Sequence, residues 1–435
     1  MPLRLAHDDP GFEGAFQSLL SAKREDDVDV AETVSAIIAR VRSEGDAGVR
    51  DLTERFDRLD LATTGMAITE DQVEAAWAEC PDDQLDALKL AADRIEAFHD
   101  HQMPDDTAYT DEAGVGLGMR WSAIESVGLY VPGGQAAYPS SVLMNAVPAR
   151  TAGVPRRVMV VPTPDGVINP LVLAAARISG ITEIYRVGGA QAVAALAYGT
   201  ESIRPVVKIV GPGNAYVAAA KRQVFGQVGI DSIAGPSEIL VVADAANDPD
   251  WIAMDLLSQA EHDAVAQSIL ITDDAEFADR VETAVAVALT RLPRAEIAGA
   301  SWRDYGAVIV VSSLDQVPAL VDRLAPEHLE LAVDHPEALA AKVRNAGAIF
   351  LGRHTPEAVG DYVAGPNHVL PTARTARFSS GLSVFDFLKR TTTVQCDAES
   401  LARIGPAAVT LAQAEGLDAH ARSVAIRLGG LPSTG

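Results

Sequence analysis

From Arg157 onward the chain repeats one unit: a short β-branched run, a turn, then an Ala-rich helical segment. RRVMVVPTP leads into PLVLAAARISG, ITEIYRVGG into AQAVAALAYGT, and RPVVKIVGPG into NAYVAAAKRQVFG. Successive units of this kind pack back on one sheet through right-handed crossovers between parallel strands, so the order predicts an α/β domain. A second series follows, with SEILVVAD, AQSILITDD, YGAVIVVSS and GAIFLG as strands. Helices are expected between them at about 250–262, 275–292, 316–325 and 337–346.

Ahead of both series, residues 26–103 read as a helical subdomain, because VAETVSAIIARVRSEG and DDQLDALKLAADRIEAFHDHQ space their apolar residues three to four apart. VAGPNHVLPTARTARFSSGLSVFDFLKR is rich in Gly, Ser and Pro and reads as a long ordered loop near a site. The run from Ser400 to Leu428 returns to helix. With 435 residues and 48% hydrophobic content, the chain can bury more than one core.

Charge and cysteine usage narrow the function classes. A net charge of -25 without any Lys/Arg-rich run repels phosphate backbones, so nucleic acid is not an expected partner. No stretch reaches the roughly 18 apolar residues of a membrane span, and MPLRLAHDDPGFEG carries no signal-like apolar run. A cytoplasmic protein without a membrane partner is expected. Cys80 and Cys396 stand in unrelated contexts, which fits a reducing compartment and offers neither a disulfide framework nor a CxxC site.

Four short segments carry candidate chemistry. In SQAEHD, Gln259 and His262 are three residues apart at a helix end and share a face, as two ligands to one ion would. In APEHLEL, the adjacent Glu327 and His328 pair a carboxylate with the side chain best suited to take a proton near neutral pH. GDYVAGPNH places Asp361 and His368 in a loop punctuated by Gly and Pro, and AEGLDAH adds Glu415 and His420 late in the chain. Such a mixed N/O set suits zinc, and by chemistry alone also Mn, Co or Fe. VGPGNAY and VGGAQ each follow a strand and open a helix; both lack the full GxGxxG, so they suit a phosphate or simply a tight turn.

Longer segments bring these pieces together. RSEGDAGVRDLTERFD, VGLYVPGGQAAYPSSVLMNAVPA, VGGAQAVAALAYGT, VGPGNAYVAAAKRQVFG, VGIDSIAGPSEILVVAD, LLSQAEHD, APEHLEL, GDYVAGPNHVLPT, SGLSVFDFLKR and AEGLDAHARSV occur in order. Over nearly its whole length the chain thereby resembles the histidinol dehydrogenase family. The resemblance implies a zinc-containing, NAD-dependent oxidoreductase that converts L-histidinol through the aldehyde to histidine. It matches Gln259, His262, Asp361 and His420 to zinc ligands that also hold the substrate, His328 to the general base and Glu327 to the group that activates water. Ser237, His368 and Glu415 match further substrate contacts, and Tyr130, Gln191 and Asn214 match NAD contacts. It also implies a homodimer in which Glu415 and His420 complete the neighbour's site.

The expected fold is therefore α/β, with two Rossmann-like parallel-sheet domains, a helical N-terminal region and a small C-terminal helical unit. The expected division is 1–103 helical; 104–129 plus 237–381 an α/β domain with the zinc and substrate site; 130–236 an α/β domain on the NAD side; and 382–435 a dimer-crossing segment.

Overall fold

The computed structural model describes residues 1–22, 30–133, 138–233 and 235–429. Residues 26–29 of the expected helical region, and 134–137 of the segment beginning VGLYVPGG, lie outside them.

Two parallel sheets organise the chain. The five-stranded sheet has Ser126–Tyr130 at its centre, flanked on one side by Arg156–Val160 and Glu183–Tyr185 and on the other by Lys208–Val210 and Gly229–Ile230. Counted along the chain, this is the doubly wound order 3-2-1-4-5. The six-stranded sheet repeats that order, with Glu238–Ala243 as strand 1, Gln267–Thr272 and Ala307–Val310 to one side, and His328–Ala332 and Ala348–Leu351 to the other. Its extra edge strand is Leu3–Ala6, parallel to Ala307–Val310. The Rossmann-like α/β class expected from the sequence is the class observed.

The N-terminal helices do not stand apart as a subdomain. Val34, Ile37, Ile38, Val41, Val49 and Leu52 share one core with Val158, Val160, Ile209 and Leu196, on one face of the five-stranded sheet. Ala91, Ala92 and Ile95 of the helix Asp82–Asp100 join Leu129, Met159 and Val161 on the other. An amphipathic helix must bury its apolar stripe, and here the sheet is what it covers. The central strand also begins at Ser126, four residues before the expected boundary at 130, because SVGLY is buried along its whole length between these layers.

A third, antiparallel sheet joins Leu388–Gln395 to Gly116–Ala123 and Thr107–Thr110. No strand is expected in these segments from the sequence, because LKRTTTVQ is exposed at almost every position and so lacks the buried alternation that marks a strand. The C-terminal helices Ala398–Ala414 and Asp418–Ala425 form as expected. Among the described residues, no helix is long and apolar enough to cross a membrane.

Candidate functional site

In doubly wound sheets ligands gather at the carboxyl ends of strands 1 and 4, where the order reverses. In the six-stranded sheet that crevice is bridged: Asn247 Nδ2 donates to the Ala332 carbonyl at 2.7 Å, and Arg353 clamps Asp244 at 2.6 Å and Asp334 at 2.8 Å. The candidate catalytic residues sit at the opposite, amino edge. Ser237 precedes strand Glu238–Ala243, and Glu327 precedes strand His328–Ala332.

The short run HLELA is a buried interior strand; its first residue, His328, is 3% exposed and Glu327 just before it is 5% exposed, where a surface pair at a helix end would be wet. Ala325 closes the preceding helix in the left-handed conformation, φ +48°, and turns the chain into the sheet. The Glu238 backbone N–H then donates to Glu327 Oε2 at 2.9 Å. His328 Nδ1 lies 3.0 Å from the Glu238 carbonyl oxygen. A carbonyl only accepts, so Nδ1 carries the proton and Nε2 is the basic nitrogen of the neutral ring.

Asp361, expected in a loop, stands instead on the last turn of a short helix, Glu357–Tyr362. Glu357 and Asp361 are one turn apart on this helix and flank the imidazole. Glu357 Oε1 is 3.3 Å from Nδ1, and Asp361 Oδ1 is 3.5 Å from Nε2. Burial opposes charge on His328, but Glu357, Glu327 and Asp361 outweigh it and push the imidazole up to about 10. Burial likewise opposes ionisation of Asp361, yet His328, His368 and His262 hold its carboxyl below the ordinary range. The three carboxyl and imidazole groups of His328, Glu357 and Asp361 bring ligand atoms within 4.8 Å of one another. Since the two carboxylates approach opposite nitrogens of one ring, the trio is built to orient an imidazole.

The residues matched to zinc ligands converge in part. Gln259 lies in the final turn of the helix Pro249–Ala260; it is 1% exposed, and its Oε1 has no hydrogen-bond partner. A buried amide oxygen left without a donor costs about 1–3 kcal/mol and is the kind of atom a cation satisfies. His262 follows two residues after the helix and acts on the charge of Asp361, as does His368. His368 Nδ1 lies 3.1 Å from the Asp361 carbonyl and Nε2 3.5 Å from Ser141 Oγ, linking the site to the helix that follows strand Ser126–Tyr130. The Gln, His and carboxylate chemistry of Gln259, His262 and Asp361 fits zinc. Glu415 and His420 are exposed, and among the described residues no hydrogen bond or ion pair joins their side chains to this cluster.

The residues matched to NAD contacts gather around the carboxyl edge of the five-stranded sheet, whose reversal point lies between strands ending at Tyr130 and Val210. Tyr130 is 4% exposed; its hydroxyl accepts from the Gly189 N–H at 3.0 Å, and burial raises its pKa to about 12. Gln191 is buried in the first turn of Gly189–Tyr198. Asn214 caps the helix Ala215–Val224, its Oδ1 accepting from Tyr216 and Val217 N–H at 3.1 and 3.2 Å. Sequence reading missed Glu357; its only signal was the four-residue spacing to Asp361 in PEAVGDY.

Known proteins match this chain along its length. The family model described as histidinol dehydrogenase matches residues 20–428. The histidinol dehydrogenase of Rhodospirillum rubrum is 68% identical over 429 residues, covering 98% of this chain and 99% of that protein. That of Mesorhizobium japonicum is 64% identical over 428 residues, covering 98% and 100%. The crystal structure of histidinol dehydrogenase from Elizabethkingia anophelis has a TM-score of 0.94 at 36% identity, covering 98% of each chain.

Proposed function

The chain belongs to the histidinol dehydrogenase family, and from that membership we propose that it oxidises L-histidinol through L-histidinaldehyde to L-histidine, reducing two NAD, as the closing steps of histidine biosynthesis. The observation that carries the reading is the His328 ring, whose Nδ1–H is committed to the Glu238 carbonyl while Nε2 faces Asp361.

In this reading Gln259, His262 and Asp361, with His420 of the partner subunit, hold a zinc ion that supplies a Lewis-acidic anchor for the substrate's imidazole and amine. NAD, held by Tyr130, Gln191 and Asn214, supplies the hydride acceptor. The chain's own residues handle the protons. His328 Nε2 takes the proton of the alcohol O–H. In the second oxidation Glu327, its Oε2 fixed by the Glu238 N–H, orients and deprotonates the water that hydrates the aldehyde. Ser237, His368 and Glu415 orient the substrate. Cys80 bonds the Ala76 carbonyl and Cys396 is exposed beyond the antiparallel sheet, which favours a hydrated aldehyde over a thiohemiacetal.

The site is completed in a homodimer. Tyr109, Val394 and Leu411 are 62%, 69% and 64% exposed on the antiparallel sheet and C-terminal helix, the apolar character of a surface that a second copy covers. The reaction is assigned to the cytoplasm, with a small-molecule substrate and neither nucleic acid nor membrane as partner. The test is NADH formed from L-histidinol before and after chelation, counted against histidine. Two NADH per histidine, lost on chelation and restored by zinc, is the expected result; silence with L-histidinol and turnover of another alcohol overturns the substrate assignment.

A further inference from the structure

Of the two carboxylates that flank His328, the proposed reaction uses only Asp361. Glu357 is 3% exposed, lies 3.3 Å from Nδ1 through Oε1, and buries its Oε2 without a hydrogen-bond partner. A buried acid with an unpartnered oxygen carries a desolvation cost that packing does not return.

The helix that carries Glu357 is also held unusually close. A side chain at Gly360 would collide with the Phe350 ring, and that ring stacks over His328 at a centroid distance of 6.0 Å, tilted by 32°. The imidazole is thus enclosed by Phe350, by the Glu238 carbonyl at Nδ1, and by one turn of helix with a carboxylate at each end. These contacts leave the ring one orientation.

We propose that Glu357 is a positioning residue: its carboxyl, packed 3.3 Å from Nδ1, holds the plane of the His328 ring, whose Nδ1–H the Glu238 carbonyl accepts, so that Nε2 meets the substrate hydroxyl. The inference rests on His328 being the base of the proposed reaction. The proton count closes without Glu357 as a carrier. The alcohol O–H bond breaks and an N–H bond forms at Nε2, while the carbon loses hydride to NAD. Nδ1 keeps its proton on the Glu238 carbonyl, and none passes to Glu357.

The test uses the zinc-loaded protein with Glu357→Gln, His328→Asn and the double variant, reading kcat, both KM values and bound zinc. Groups that orient a neighbouring catalytic or ligating side chain contribute about 10- to 100-fold, so Glu357→Gln is expected to lower kcat by that factor with both KM values and zinc content within about twofold. On the His328→Asn background the same change is expected to cost nothing further, because Glu357 acts only through the ring. Glu357→Asp, which keeps the carboxyl, is expected to recover part of the loss. Three results overturn the proposal: kcat within about twofold in Glu357→Gln, a full repeat of its loss on His328→Asn, or zinc content falling in step with activity. A kcat for His328→Asn within about tenfold of wild type, rather than a small measurable residue, would instead overturn the base assignment, so the two failures are distinct. If Glu357→Gln yields too little folded protein, the tautomer is read in wild-type protein labelled with 15N-histidine; a neutral ring protonated at Nε2 overturns the proposal.

Discussion

Glu330 follows His328 by two residues on the same strand and so faces the same side of the sheet, where Ile239, Val241 and Ala332 form the core. It is 2% exposed with Oε2 unpartnered; burial, with Asp255 and Glu357 nearby, raises its pKa well above the ordinary value. Burial also raises Asp255 to about 6 and Glu357 to about 8. A carboxyl raised on folding contributes stability that is complete below its unfolded value and lost as pH climbs through its folded value. His328, raised to about 10, has the same sign. Burial lowers His262 and His368, which have the opposite sign and add stability as pH rises to about 6.5, so zinc-free protein is expected to lose thermal stability above about pH 7 and on to about pH 9. Glu330→Gln, which removes an unpartnered oxygen's charge at little change in shape, is expected to raise the melting temperature at pH 8.5 by about 2 °C or more and to flatten the slope. An unchanged slope would mean that this carboxyl is not held protonated. At this scale the sequence was legible in part: Gln259 stands in the last turn of its helix, as the spacing predicts, while His262 lies two residues beyond the helix end. Glu357 was not legible, because its role comes from a ring brought to it by another strand 29 residues earlier.

At the scale of elements, the strands that alternate with Ala-rich helices could be read directly, since each is a continuous β-branched run buried on both faces. Leu3–Ala6 and His328–Ala332 escaped because four or five residues, one with two polar side chains, define no period by themselves. The helix Ala295–Tyr305 escaped likewise, following closely on another helix. The turn VGPGN shows what spacing does not tell. Gly211 has φ +111°, and any side chain there would strike the Tyr130 carbonyl, so its role in the turn is steric. Beneath it the buried Lys221 and Asp231 form an ion pair that holds both backbone groups of Gly211: Lys221 Nζ donates to its carbonyl at 3.0 Å and Asp231 Oδ2 accepts from its N–H at 2.8 Å. Lys221→Met leaves Asp231 buried and uncompensated, a loss of about 3–5 kcal/mol, and frees the loop that presents Asn214. Folded Lys221→Met is expected to show a KM for NAD raised several-fold with the KM for L-histidinol unchanged, and adding Asp231→Asn is expected to restore much of the stability. Equal rises in both KM values would detach this brace from the dinucleotide side.

The whole molecule sets the amino edge of one Rossmann-type sheet beside the carboxyl edge of the other, joined through His368 and Ser141. Neither sheet order nor edge choice can be read from local periodicity, because both are fixed by contacts between segments far apart in sequence. Within one chain Glu415 and His420 stay exposed, and among the described residues no hydrogen bond or ion pair joins them to Gln259 or Asp361. If each site takes its core from one chain and its C-terminal residues from the other, defects in the two parts must complement. His328→Asn and His420→Ala homodimers each lack a working site. In a mixed dimer, one site collects both defects and the other collects neither. Random reassociation of equal amounts makes half the dimers mixed, with one of two sites intact, so roughly a quarter of wild-type activity is expected to return. The readout is NADH formation after the two variants are unfolded and refolded together, against each refolded alone. Activity no greater than the sum of the separate variants would show that each chain builds its site from its own residues.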